Sequence, residues 1–332
     1  MSCSKPGPAG KWSVIETGKP DNTVFEMNFL TPESGWLSTW SGDGPKETEG
    51  WEVLSTIDGG KTWNVLADQA KNKIKQVYFI NGKSGWALTL TNDILATKDG
   101  GTTWELQRKA GKVKVKYNYN NPTAPTETRD PITKLKFYSE KRGWAWGGGR
   151  QDDSYEQEGI FLRTEDGGKT WEKADYSFSD ELKTVYFLDA DLGWVSDRKG
   201  GLYRTVDGGK SWQKDPEDIK QSPINAFFFI DLNKGWGVGS NGYVGRTTDG
   251  GKTWIKGRAG KSFLNSVFFV DEKVGWVAGE NGEIFRTEDG GLKWERQESS
   301  LPATLTHLQF FGNRQGWAAG NAGYLLRYEG LR

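Results

Sequence analysis

A Gly-Trp pair recurs seven times in this chain of 332 residues, at Trp36, Trp86, Trp144, Trp194, Trp236, Trp276 and Trp317. Seven residues before each tryptophan stands a phenylalanine: Phe29, Phe79, Phe137, Phe187, Phe229, Phe269 and Phe310. The intervals, shortest from Trp236 to Trp276 and longest from Trp86 to Trp144, are those of a repeat architecture, in which one small unit is copied and stacked. A second signature, [Ser/Thr]-x-Asp-Gly-Gly-x-x-Trp, occurs six times, running from Asp58, Asp99, Asp166, Asp207, Asp249 and Asp289 to Trp63, Trp104, Trp171, Trp212, Trp254 and Trp294. Asp-Gly between apolar runs is a turn signal, because glycine supplies positive φ and the carboxylate accepts backbone N–H groups within the turn. The flanking runs, such as Ile160-Phe161-Leu162 and Val267-Phe268-Phe269, are β-branched or aromatic and suit buried strands.

One unit therefore reads as strand A ending near the phenylalanine, strand B starting at Gly-Trp, strand C, the Asp turn, and strand D starting at the box tryptophan. Four antiparallel strands in each such unit make a propeller blade. The seventh unit, from Leu305, ends at Gly323 to Tyr328 without an Asp turn or a strand D. Lys11 to Ile15 has the form of a missing strand D, and Trp12 precedes Trp36 by the same interval that separates Trp212 from Trp236. The sequence predicts an all-β, seven-bladed propeller of four-stranded antiparallel blades, with the N-terminal strand closing the last blade. Residues 1–10 form a flexible tether and 11–332 the single propeller. The composition agrees: 45 glycines and 17 tryptophans with 35% hydrophobic residues exclude a helical bundle.

The boxes, for example Thr164-Glu165-Asp166-Gly167-Gly168-Lys169-Thr170-Trp171, match the Asp-box (BNR) repeat residue for residue. With seven Gly-Trp pairs and the Leu-Leu-Arg-Tyr ending, residues 11 to 332 resemble the photosystem II stability/assembly factor family and its relatives in non-photosynthetic bacteria. The resemblance implies a non-catalytic propeller that binds a protein at or near a membrane, a photosystem II precursor in a photosynthetic organism. Asp boxes also occur in sialidases, xyloglucanases and sorting receptors, so fold alone does not give function.

Removing the repeat leaves a remainder. Seven tryptophans begin strand B and seven, counting Trp12, begin strand D, which leaves Trp40, Trp51 and Trp146. The run from the Gly-Trp tryptophan to the box aspartate has one length in units 2, 4, 5 and 6, as from Trp86 to Asp99. It is longer, by the same amount, in units 1 and 3, from Trp36 to Asp58 and from Trp144 to Asp166. The step from Trp104 to Trp144 likewise far exceeds its counterpart from Trp63 to Trp86. The B-to-C and D-to-A connections leave an up-and-down blade on one face, so all three insertions gather above blades 1 to 3. Long loops on a rigid scaffold are where binding resides. The expected site is an aromatic surface of Trp40, Trp51, Trp146, Tyr117, Tyr119 and Tyr155, rimmed by Lys112, Lys114, Lys116, Asp152 and Asp153. The alternative is that these loops only pack on one another.

Other chemistry is sparse. Forty-four basic and 44 acidic residues cancel, which argues against a nucleic-acid partner. The single histidine, His307, argues against a His-based metal site or catalytic triad, and the boxes lack the ligand pattern of a calcium loop. No cofactor or metal is expected. Arg163, Arg204, Arg246, Arg286 and Arg327 precede the box threonine or its equivalent, a generic repeat position suited to stacking on tryptophan. A sialidase needs an arginine from blade 1, yet the first arginine is Arg108. A glycosidase needs two carboxylates, for which Glu26, Asp43, Glu47, Glu49, Asp152, Asp153 and Glu156 are available. Glycoside hydrolase and carbohydrate-binding envelope protein are therefore the alternatives. His307 aligns with Glu26, Gln76, Lys134, Thr184, Ala226 and Ser266 in strand A, a mixed polar row at the mouth of the channel. Cys3, followed by Ser-Lys-Pro-Gly-Pro-Ala-Gly, resembles the start of a mature bacterial lipoprotein. The expectation is an exported monomer, lipidated at Cys3 and anchored in the bacterial envelope, or a lumenal protein of thylakoids.

Overall fold

The computed structural model describes residues 10–16, 22–41, 50–66, 73–115, 126–129, 131–150, 157–215, 223–299, 303–321 and 323–330. Among them, seven four-stranded antiparallel sheets follow one another around a ring, each with its strands in chain order A-B-C-D except the last. Blade 1, for example, comprises Asn22–Phe29, Gly35–Ser41, Trp51–Thr56 and Asn64–Val65. Blade 7 takes strands A to C from Leu305–Phe311, Gln315–Gly320 and Tyr324–Glu329, and its outer strand from Lys11–Glu16. Trp12 pairs with Tyr328 there and is 6% exposed, so the termini close the ring as the repeat arithmetic predicts.

The Phe-to-Trp spacing is a device for joining blades. In each blade the strand A phenylalanine lies opposite the glycine of Gly-Trp, as Phe229 does opposite Gly235. A Cβ on Gly235 would sit 2.3 Å from the Phe229 ring, which is why this position has no side chain. The phenylalanine then stacks on the Gly-Trp indole of the preceding blade, as Phe229 on Trp194 at 3.6 Å and 9°, and meets its own box tryptophan edge-on, as Trp254 at 6.2 Å and 79°. The same pair of contacts recurs at every seam, including Trp317 on Phe29 and Phe310 against Trp12. Such aromatic pairs add about 0.5–1.5 kcal/mol each beyond the area they bury.

The Asp box supplies the third contact. In the blade 1 box, Thr56 Oγ1 donates to Asp58 Oδ1 at 2.8 Å, while Thr62 donates to Asp58 through its N–H at 3.0 Å and its hydroxyl at 2.6 Å. The first glycine then offers its carbonyl outward: Trp236 Nε1 donates to Gly290 O at 2.9 Å and Trp317 Nε1 to Gly59 O at 3.2 Å. Trp276 is the exception, because the blade it faces has no box, and its buried Nε1 finds no acceptor among the described residues.

The insertions emerge from the other face. Blade 3 lengthens its central strands to Gly143–Arg150 and Gln157–Thr164, and between blades 2 and 3 Lys112–Val115 pairs with Thr126–Arg129 as an added hairpin.

Candidate binding site

A basin of about 730 Å³ opens at the mouth of the central channel, on the face that bears the insertions. It is built by one irregularity repeated seven times. Every strand A carries a register shift against strand B, between Val24 and Glu26, Ile74 and Gln76, Ile132 and Lys134, Leu182 and Thr184, Ile224 and Ala226, Leu264 and Ser266, and Leu305 and His307. A bulge inserts one extra residue and re-aims its neighbours. It separates a bulge ring (Phe25, Lys75, Thr133, Lys183, Asn225, Asn265, Thr306) from the polar row that the sequence places at the channel mouth.

Most bulge residues join neighbouring strands. Asn225 Nδ2 donates to Leu264 O at 2.7 Å, Asn265 Nδ2 to Leu305 O at 3.2 Å, and Lys75 Nζ to Ile132 O at 3.3 Å, each on the next blade. Thr133 and Thr306 donate to strand B carbonyls of their own blades, each at 3.4 Å. Phe25 and Lys183 make no such bond among the described residues. Both line the basin.

Charges concentrate on the side of blades 7, 1 and 3. Glu26 Oε2 accepts from Lys134 Nζ at 3.0 Å and from Gln76 Nε2 at 2.8 Å, and His307 Nε2 lies 3.4 Å from Glu26 Oε1. Burial by itself would raise the Glu26 pKa, but Lys134 and His307 outweigh it and hold the carboxyl at about 2. Two residues further along strand A, Lys136 also lines the basin, with its Nζ 5.4 Å from the Tyr186 ring centroid. Burial pushes the Lys136 ammonium below its ordinary pKa, only partly opposed by Glu26.

The predicted aromatic surface divides. Trp40 and Trp51 are cross-strand partners in blade 1 with ring centroids 6.2 Å apart, and Phe25 extends the group at 4.7 Å from Trp51. Trp146 is 7% exposed: it packs in the core between blades 3 and 4, with Phe161, Phe178 and Phe187, and also lines the basin. It occupies the strand B position held by Ser38, Leu88, Ser196, Val238, Ala278 and Ala319 in the other blades, all buried. Lys112 and Lys114 lie on the added hairpin strand. Tyr117, Tyr119, Tyr155, Lys116, Asp152, Asp153 and Cys3 lie outside the described residues, as do Asp43, Glu47, Glu49 and Glu156. Sequence reasoning did not select Phe25, Lys136 or Lys183; the available signal was that Phe25 is an apolar residue in an otherwise polar column.

A larger depression of about 1060 Å³ lies on the Asp-box face between blades 2 and 3. Three of its carboxylates are already engaged: Asp99 and Asp166 within their own turns, and Glu140 by Asn81 at 3.2 Å and Ser84 at 2.9 Å. Three of the strand C arginines are likewise committed locally: Arg163 to Glu165 at 2.8 Å, Arg286 over the Trp276 ring at 5.4 Å and Arg327 over the Trp317 ring at 5.9 Å.

The family model described as photosynthesis system II assembly factor YCF48 matches residues 168–260 and 255–329. Over those residues, close to half of the chain, the sequence matches a photosystem II assembly factor-like family. A solved structure titled YCF48 bound to D1 peptide superposes with a TM-score of 0.70 at 19% identity, covering 98% of this chain and 99% of that one. YCF48 from Cyanidioschyzon merolae gives 0.67 at 20%, covering 96% and 98%. The GH74 xyloglucanase of Xanthomonas campestris gives 0.63 at 11%, covering 95% of this chain and 53% of that enzyme. No curated protein matches in sequence. At these identities the structural likenesses establish the fold, which this YCF48-like chain shares with assembly factors and glycoside hydrolases alike.

Proposed function

We propose that this chain is a non-catalytic, protein-binding assembly factor that engages a partner through the channel mouth and the insertion-bearing face of blades 1 to 3. The carrying observation is the basin itself, where unlike-charged side chains and an aromatic wall meet on the face that departs from the repeat. A YCF48 propeller of the same fold holds a peptide, which supports a protein as the ligand class. Glu26 is unsuited to the acid role of a glycosidase: that acid must hold its proton near neutrality, whereas this carboxyl is kept ionised by Lys134 and His307. The place of action is the bacterial envelope, with Cys3 as lipid anchor; mass spectrometry of the protein from its native membrane should find a diacylglycerol-modified Cys3.

The test is site-specific crosslinking in the native organism. A photoreactive residue at Phe25 should yield discrete protein adducts, while one at Leu292, exposed on the Asp-box face, should yield none. Adducts only from Leu292 would refute the assigned face. A glycan is the second reading, favoured by the Phe25, Trp51 and Trp40 stack; saccharide binding lost in Trp51→Ala but kept in Lys134→Ala would support it instead.

A further inference from the structure

The basin's charges do not balance, and the imbalance has a location. Facing it are Lys134, Lys136, Lys183 and His307, against Glu26 and Glu280. Glu26 is engaged by Lys134, His307 and Gln76. Lys136 and Lys183 have no hydrogen-bond or ion-pair acceptor among the described residues. Lys75, by contrast, donates to Asn92 at 2.7 Å as well as to the blade 3 backbone. Lys136 sits one step deeper along strand A than Lys134, in the ring it shares with Asn28, Tyr78, Tyr186, Phe228, Phe268 and Gln309. Asn28 and Gln309 of that ring are occupied with the backbone of the next blade, through Phe79 N at 2.8 Å and Phe29 N at 2.9 Å. A withdrawn ammonium without a counterion is costly unless an anion completes it.

We infer that the channel mouth is a carboxylate-binding subsite, in which Lys136 and Lys183 receive an acidic side chain or the C-terminal carboxylate of an extended peptide. This rests on the protein-binding reading and names the chemistry of the partner. Three features favour a carboxylate on a peptide. Glu26 and Glu280 leave room for only a small surplus of positive charge, which suits one or two carboxylates better than a polyanion. The basin volume lies in the range that holds a few residues. Phe25, 38% exposed beside Glu26, offers an apolar contact next to the cations, as a mixed peptide requires.

The probe is a set of fluorescein-labelled ten-residue peptides: one with two aspartates near a free C-terminus, one with asparagines in their place, and each also as the C-terminal amide. Affinities are measured by fluorescence polarisation on the full chain. At least one carboxylate-bearing form should bind about tenfold or more tighter than the asparagine amide, a charge-assisted contact's worth. Lys136→Met and Lys183→Ala should each remove most of that advantage and leave the asparagine amide unchanged. Dependence on the aspartates identifies a side-chain source, and dependence on the free terminus a chain end. Equal affinity for all four peptides, or an advantage surviving in both variants, overturns the subsite. Because Lys183 is exposed, Lys183→Ala keeps the test valid even if Lys136→Met fails to fold. Crosslinks at Phe25 that persist without any carboxylate preference would sink the subsite and leave the protein-binding reading standing; loss of those crosslinks would sink the latter.

Discussion

The two faces of the ring treat charge in opposite ways. On the Asp-box face each box aspartate is surrounded by donors from its own turn, and hydrogen bonds from Thr62 and Thr103 hold Asp58 and Asp99 at about 2, against an ordinary 3.8. At the channel mouth, Glu26 is satisfied from three other blades, and Lys136 and Lys183 are left without acceptors among the described residues. Where the repeat is obeyed, polar groups complete one another and the surface is scaffold. Where it is broken, charged side chains line an open basin. Substitutions on the repeat should therefore lower stability and leave binding intact, and those at the mouth should do the reverse.

The largest effect expected on the scaffold side is at the closure. Trp12→Ala removes a buried indole set edge-on to Phe310 at 5.8 Å and should cost about 3–5 kcal/mol. An unchanged denaturation midpoint would mean that the N-terminal strand does not hold the ring. Asp207→Ala comes next. It deprives Thr205 and Ser211 of their acceptor and should cost about 1–3 kcal/mol, with peptide affinity unaltered; lost affinity would break the contrast between the faces.

The same turns predict an acid limb. Their folded-state pKa values lie below the ordinary one, so their contribution is complete above about pH 4. It should disappear as the pH falls through about 2, and a melting temperature that stayed flat across that window would contradict the assignment. The smallest effect separates two otherwise matched indoles. Trp317 and Trp276 are both fully buried and both lie under an arginine, Arg327 at 5.9 Å and Arg286 at 5.4 Å, but only Trp317 has an acceptor among the described residues, Gly59 O. Trp317→Phe should be more destabilising than Trp276→Phe by about 1 kcal/mol, and equal losses would show that the missing box at blade 7 is compensated.

Much of the scaffold was legible because its causes are local and repeated. Phe229 must meet a glycine across a short hairpin, and that requirement is written seven times at one spacing. The box turn likewise carries its donors within four residues of its aspartate. Trp146 shows where this reading stops. Its identity set it apart from the repeat, but its position, two residues after Trp144 on strand B, belongs to the buried column filled by Ser38, Leu88 and Val238, so it meets the basin from within the core and offers little exposed surface.

The sequence by itself determined the blade count, the closing strand and the face on which the insertions lie, since each follows from spacing along one chain. Tertiary structure decided which residues meet at the channel. Glu26, Lys134 and His307 belong to the first, third and seventh repeats and come together only because the ring closes. The bulge that sets Phe25 and Lys183 apart from the polar row is a property of pairing between strands. Neither effect is encoded in any local run of residues, so the basin became readable only once all seven A strands stood around one axis.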